Sequence, residues 1–298
     1  PTAPAPVTAV FAGLLTKVGV YAMVRTETLL FPGDRINTLL MVVAGLTMLV
    51  GILGALAQTD IKRMLSFTLV SHIGYMVFGL AVASIVGIGA AVFYVVHHIT
   101  VQTSLFLVTG LIERRGGTAN MDRLGGLARL SPLLAVLYFI PAINLAGIPP
   151  FSGFLGKLGL MQAGVELGTP LAYVLVAASV LTSLLTLLVM ARVWNRAFWR
   201  TPEDAVHPDP ILLATTTDGS TVRDSGNVSG HSSGRFGGRS TVDLLPKTMV
   251  YPTVGLVALG VSLTILAGPL FSLSDDAAQD LLDRTPYIEA VLGEGSAP

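Results

Sequence analysis

Residues 132–165 read PLLAVLYFIPAINLAGIPPFSGFLGKLGLMQAGV, and the way this run divides decides the fold. It is apolar enough to lie in lipid, yet its 34 residues exceed one straight crossing, since about 20 cover the ~30 Å hydrocarbon core. Gly147-Ile148-Pro149-Pro150 interrupts it: the prolines remove backbone donors and the glycine permits a turn. The run is therefore either one broken helix or two short spans, 132–148 and 151–165. Loop charge separates the two readings, because cytoplasmic loops carry an excess of Lys and Arg. With one broken crossing, loops 58–63, 113–131 and 192–249 share a side and hold 13 Lys/Arg, against Arg25, Arg35 and Arg284 opposite. Two crossings would give 7 against 9. One broken helix is the better reading, and it puts the chain start in the cytoplasm and the tail outside.

The same length test predicts further spans at 6–24, 36–57, 64–84, 89–112, 172–193 and 250–270, hence an all-α polytopic bundle. Composition agrees: 52% of residues are hydrophobic and 12% charged, where a soluble protein carries about 25% charged. Zero net charge argues against nucleic acid as a partner. The absence of cysteine excludes disulfides, thiolate metal sites and iron–sulfur clusters. Pro1 opens the chain with no basic leader, so a later portion of a longer polypeptide is expected.

Four regions follow: a transmembrane bundle over 1–200, a linker over 201–248, a final transmembrane helix over 249–271 and an acidic external tail over 272–298. Trp194 and Trp199, interleaved with Arg192, Arg196 and Arg200, read as a cytoplasmic interface belt. The linker is rich in Ser, Thr and Gly and cannot bury enough apolar surface to offset chain entropy. His207 and His231 fall in it and are not expected to be ligands. In the tail, a short surface helix with Leu281 and Leu282 on one face would be interrupted at Pro286.

Inside the spans the titratable groups, tyrosines apart, are Lys17, His72, His97, His98 and Lys157, while all 18 acidic residues fall at span ends or in loops. A charge near the bilayer centre costs at least ~2.5–3.5 kcal/mol, so such residues usually line a polar path. Desolvated lysines and histidines both accept and release protons, which a proton path requires. Lys17 sits too deep to snorkel to either surface; its alternative role is a buried structural hydrogen bond. Lys157 follows the double proline, where a broken helix opens carbonyls and helix ends to a cavity. His98 and Gln102 are four apart and share a helix face, with His97 and Ser104 on a neighbouring one. These side chains could support hydrogen-bonded water, or only hold helices together. His72 stands between a relay role and a packing role. The HH pair lacks the i, i+4 spacing of a helical metal site, and no glycine pattern opens a phosphate-binding helix, so no metal or cofactor is expected.

APAPVTAVFAGLLTKVGVYAMVR, ALAQTDIKRMLSFTLVSHIGYMVFGL and AGIPPFSGFLGKLGL together resemble the antiporter-like membrane subunits shared by respiratory complex I and the Mrp cation/proton antiporters. HHITVQTSLFLVTGLIERRGGT and the tail AAQDLLDRTPYIEAVL are most similar to the D-type subunits of the Mrp group. That family's fold has fourteen transmembrane helices, with two inverted repeats of five that each contain a broken helix. Carried over, this chain corresponds to helices eight to fourteen. Lys17 then matches the lysine of helix eight, and Lys157 that of the second broken helix. Many relatives carry lysine where this chain has Gln102, which cannot store a proton. The family's glutamate and the lysine of its first broken helix would lie upstream of Pro1.

The resemblance implies a proton-translocating subunit of a monovalent cation/proton antiporter, Na⁺ being the expected cation, working with other hydrophobic subunits in the cell membrane. Proton transfer would run from Lys17 through His97, His98 and Gln102 to Lys157. Two rivals stay open. One is a proton-pumping subunit of NADH:quinone oxidoreductase, with the same pathway and different partners. The other is a non-conducting scaffold, which Gln102 favours. From composition alone, residues 205–240 are expected to be cut by protease added to the cytoplasmic face without loss of assembly; protection of this stretch in inside-out vesicles would show instead that it packs against something.

Overall fold

Lipid offers no partners to backbone N–H and C=O groups, and a helix satisfies them internally. The computed structural model, which describes residues 4–31, 36–207 and 245–293, is accordingly helical in every element among the described residues. Arg35, His231 and most of the predicted linker lie outside the described residues.

The helices are α1 (Ala5–Leu30), α2 (Asn37–Leu56), α3 (Ile61–Val82), α4 (Ile85–Gly116), α5 (Pro132–Ala146), α6 (Ser152–Leu167), α7 (Pro170–Val193), α8 (Lys247–Ile265), α9 (Ala267–Leu282) and α10 (Thr285–Leu292). Among the described residues, α1 to α4, α8, and α7 with its extension to Trp199 are long and apolar enough to cross a membrane. Their ends follow local chemistry. The Asp60 carboxylate caps α3 through the Arg63 N–H, and the Ser84 hydroxyl caps α4 through that of Gly87. Gly117, with φ of +77°, ends α4 in the left-handed conformation that glycine adopts without strain.

Two ends differ from the sequence reading. α1 carries a π turn at Phe11–Leu15 and runs on past Val24 to Leu30, which takes Glu27 into the helix as a buried residue. The final helix stops at Ile265, and α9 then runs from Ala267 through the start of the acidic segment to Leu282. Phe271 of α9 stacks on Phe93 of α4 with ring centroids 4.0 Å apart, and Ala278 is fully buried. The predicted boundary at 271 therefore falls inside a packed helix.

α5 and α6 stack end to end along α7. The Tyr138 hydroxyl in α5 donates to the Met190 carbonyl near the end of α7, whereas Gly164 in α6 faces Val176 near its start. α6 also runs antiparallel to α4, with Ser152 beside His97, Gly156 beside Tyr94 and Gly159 beside Ala90. Two short helices thus lie end to end along one neighbour, broken at Gly147–Pro150.

The apolar core is split in two. One cluster holds Leu65, Leu105, Leu111, Tyr138 and Met190; the other holds Met48, Phe78, Tyr94, Leu160 and Leu175. Between them, α3 contributes Thr68, Ser71 and His72 and α4 contributes His97 and His98, all buried. A polar layer therefore lies between two apolar slabs.

Beyond one slab, the arginines of the predicted interface belt work as staples. Arg192 donates to the Leu56 carbonyl, Arg196 pairs with Asp122 at 2.6 Å, and Arg200 donates to the Met121 and Leu124 carbonyls. Lys62 and Glu113, also 2.6 Å apart, tie the start of α3 to the end of α4.

Helices α2 and α3 approach closely because Gly74 presents no side chain: a Cβ there would lie 2.8 Å from both the Ala44 carbonyl oxygen and the Met48 nitrogen. Gly74→Val should lower the thermal stability of the solubilised complex by about 1–3 kcal/mol through overpacking. Gly45→Ala, whose new methyl would meet Leu175 at an ordinary 3.9 Å, should leave the melting temperature unchanged.

Candidate functional site

The site begins with two missing donors. In a continuous helix, the carbonyls of Leu145 and Ala146 would accept from the N–H groups of residues 149 and 150. Both are proline and have none. Gly147, with φ of +84°, turns the chain out of α5 instead. The Lys157 ammonium, one and a half turns into α6, then donates to both carbonyls, at 3.0 Å for Leu145 and 3.1 Å for Ala146. A buried carbonyl without a donor costs about 1–3 kcal/mol, so the lysine and the break stabilise one another. A Cβ on Gly147 would press on the Lys157 stem at 3.1 Å.

A second link laces the break to α4 and α8. Asn144 Oδ1 accepts from the Gly153 N–H at 2.9 Å and from the Ser152 hydroxyl at 3.3 Å. The Ser152 N–H donates to Thr264 Oγ1 on α8 at 2.9 Å. Ser152 Oγ also lies 2.9 Å from Nδ1 of His97. The Ser152 hydroxyl has one proton to give, so donation to Asn144 goes with an imidazole protonated on Nδ1 and donation to His97 with one protonated on Nε2. Gly153 fits here because a Cβ would strike the Asn144 carbonyl and the His97 ring.

Beyond Lys157 the polar layer is aromatic. The Lys157 ammonium lies 5.2 Å from the centre of the Tyr75 ring. Tyr75 stands 5.6 Å from His72 and 5.5 Å from Tyr94, and His72 stands 5.1 Å from His98, all as ring centroids. His72 Nδ1 meets the Tyr94 hydroxyl at 2.5 Å. Tyr94 is 5.3 Å from His97. One cluster therefore joins Lys157, His72, His97 and His98 through two tyrosines. Among the described residues, Nε2 of His72, Nε2 of His97, both ring nitrogens of His98 and Oε1 of Gln102 are buried with no hydrogen-bond partner.

The other predicted residues stand beside this cluster. Gln102 shares the His98 face and donates to the Leu65 carbonyl at 2.8 Å. Ser104 bonds back to Thr100 in its own helix, apart from His97. Lys17 is buried where the π turn ends, with its ammonium 3.0 Å from the Ala12 carbonyl and 3.2 Å from the Thr16 hydroxyl. Its stem borders a cavity of about 150 Å³ whose far wall includes Val95 and Val96, the turn of α4 that leads into His98. Among the described residues, no group of three His, Asp or Glu is placed to hold a metal ion.

Sequence reasoning missed Tyr75, Tyr94, Asn144, Ser152 and Thr264. Signals existed for three of them. Tyr75 lies three residues after His72, Tyr94 three and four before the histidine pair, and Asn144 is a lone amide in an apolar run just before the prolines. For Ser152 and Thr264, nothing in the local pattern announces the other, since the two lie in helices far apart in the chain.

The family pattern described as NADH:quinone oxidoreductase/Mrp antiporter, TM, matches residues 1–186. The D-type Na(+)/H(+) antiporter subunit of Alkalihalophilus pseudofirmus is 38% identical over 293 residues, which is 98% of this chain and 52% of that protein. The Bacillus subtilis protein of the same name is 31% identical, again over 98% of this chain and 52% of its own length. A chain in the Mrp complex from Dietzia sp. DQ12-45-1b superposes with a TM-score of 0.78 at 35% identity, covering 96% of this chain and 55% of that one. A chain of respiratory complex I from Thermus thermophilus shares the fold, with a TM-score of 0.68 at 23% identity over 94% of this chain and 52% of that one. The chain thus spans about half the length of the curated relatives it matches.

Asn144 carries two hydrogen bonds at the break, so Asn144→Leu should strand the Gly153 N–H and the Ser152 hydroxyl. Each stranded group costs about 1–3 kcal/mol. Asn144→Asp keeps both acceptor contacts. Thermal unfolding of the assembled complex should fall clearly for the leucine variant and less for the aspartate variant; equal melting temperatures for wild type and leucine variant would remove this lacing from the account.

Proposed function

This chain belongs to the NADH:quinone oxidoreductase/Mrp antiporter transmembrane family, and from that premise we propose that it is the proton-conducting portion of a subunit in a monovalent cation/proton antiporter. The cation is Na⁺ on this reading, the remaining subunits are other hydrophobic proteins, and the location is the cell membrane. The D-type antiporter subunits, alike over 98% of the chain, support this reading over a redox-driven one.

The observation that carries it is a buried lysine in contact with a chain of proton-exchanging rings. Lys157 is 2% exposed, while His72, His97 and His98 are wholly buried. Their orphaned nitrogens are the kind of buried polar atom that ordered water satisfies in proteins, with about three hydrogen bonds to each water. Water at these positions would connect His98, His72 and Tyr94 to His97 and, past Tyr75, to Lys157. Two imidazolium charges at 5.1 Å would repel by ~3 kcal/mol at an effective dielectric of about 20. The histidine pair would therefore carry one proton at a time, passing it on before accepting another. Gln102 orients this path by its bond to Leu65 and stores no proton. Lys17 is the entry group on the side of α1, at a π turn of the kind that recurs at functional sites.

Orientation belongs to the same reading, with the chain start cytoplasmic and the tail external. The chain has no cysteine, so single reporters are clean. A cysteine replacing exposed Arg114 should react with an impermeant thiol reagent from the cytoplasmic face, and one replacing exposed Asp280 from the opposite face. Labelling of both from one face would overturn the topology.

Transport itself tests Lys157. Lys157→Ala should abolish cation-dependent proton movement in everted vesicles, since no other titratable side chain in α6 reaches the break. Lys157→Arg should also fail, because guanidinium does not release a proton near neutral pH. Lys157→Ala leaves the Leu145 and Ala146 carbonyls without the lysine's donors and should lower complex stability, so exchange is compared per assembled complex for both variants. An assembled Lys157→Ala complex that exchanges at the normal rate would return the chain to the scaffold reading.

A further inference from the structure

The carbonyls of Leu145 and Ala146 have an unusual status. Their helical donors are absent for covalent reasons, and the charge that satisfies them sits at the end of a flexible stem. Ala146 and the lysine that holds both carbonyls also border open space, whose walls are otherwise mostly apolar. A cavity of about 320 Å³ runs between the α5–α6 break and α7, bordered by Ala146, Gly147, Pro149, Lys157 and Ser183. Ser183 Oγ is held 3.0 Å from the Tyr75 hydroxyl, which donates to the Ser179 carbonyl at 2.5 Å. Since that hydroxyl proton is committed to Ser179, Ser183 donates to Tyr75, and its oxygen lone pairs remain available toward the cavity.

We propose that the Leu145 and Ala146 carbonyls, with Ser183 on the opposite wall, form a monovalent-cation site that the Lys157 ammonium and a Na⁺-sized ion occupy in turn. This deepens the antiport reading above and rests on it. The ammonium already marks where a unit positive charge sits between two oxygens at about 3 Å. Unwound carbonyls at a broken helix are a recurring way to hold a small alkali cation in a membrane protein. Exchange conserves charge at the site. When Lys157 hands its proton to the histidine–tyrosine cluster, its neutral amine keeps two N–H donors but loses the charge that strengthens their bonds to the carbonyls, and a cation entering from the cavity displaces it and restores the single positive charge. Both charges on the same oxygens would repel, so occupancy is exclusive. The titratable groups around Lys157 are Tyr75 and His72 from α3 and Tyr94, His97 and His98 from α4; beside the cavity α7 offers only hydroxyls, and no acidic residue lies in α6 before Glu166. Proton and cation therefore compete for the lysine's place and for no carboxylate.

Equilibrium binding of ²²Na⁺ to the purified complex, measured across pH and apart from transport, tests this. Wild type should bind more tightly as pH rises. Lys157→Ala, although dead in exchange, should keep the site open and bind with a pH-independent affinity. Lys157→Arg should block it at every pH, so the difference between the two variants isolates this site from any other in the complex. Ser183→Ala, which leaves the lysine in place, should weaken that binding roughly tenfold, as expected for loss of one contact to a charge, while keeping the pH dependence. Equal binding to the alanine and arginine variants, or affinity unchanged in Ser183→Ala, would overturn the proposal and leave water as the only alternative occupant. The antiport reading fails separately, if wild-type complex in sealed vesicles moves no protons in response to Na⁺.

Discussion

Two proline residues deprive two carbonyls of their donors, and one lysine replaces both. Much of the polar architecture depends on that substitution. Without the prolines, α5 would pair Leu145 and Ala146 internally and the ammonium would have no acceptors within reach. Without the lysine, two buried carbonyls would stand unpaired in an apolar surround. The break also brings Ser152 and Gly153 to the start of α6, where Asn144 can hold them and His97 can reach Ser152. A covalent peculiarity of the backbone is thereby converted into the position of a buried amine and of a neighbouring imidazole.

The surroundings make that position costly to change. Apolar clusters lie on both sides of the layer, and the arginine staples at one end hold α7 against the loop before α5. The far end is closed by contacts between the extremities of the described chain: Arg25 of α1 lies 4.7 Å from the ring centre of Tyr287 in α10, and Leu281 of α9 borders the cavity beside Lys17.

Much of this was legible in the residues themselves. Apolar run length gave the spans, and the distribution of Lys and Arg chose one broken crossing over two, because hydropathy and loop charge act on every residue in lipid. Lys17, Lys157 and the histidines stood out for the cost of placing them there. The ends of helices were less legible: Glu27 and the segment after Leu270 continue as helix because tertiary packing, on α4 above all, overrides a local change in polarity. Tyr75 and Tyr94 were hidden by their own chemistry. Tyrosine passes for an apolar residue in a span, and its hydroxyl becomes informative only when the partner helix is known. Ser152 and Thr264 depend on a long-range pairing that no local period encodes.

The two-slab core has an electrical consequence. A polar layer held between two apolar slabs resembles the middle plate of a capacitor, with an insulating gap toward each water phase. A charge moved across the whole membrane gains ~2.3 kcal/mol per 100 mV. One that enters the layer from one face crosses only part of that drop; at half depth its occupancy would shift by ~1.2 kcal/mol for the same voltage, close to a factor of eight. On the proposed proton-conducting reading, residence of a positive charge at His98 or Lys157 would report the membrane voltage as well as the proton concentrations on either side. The double proline fixes the depth at which that reading is taken.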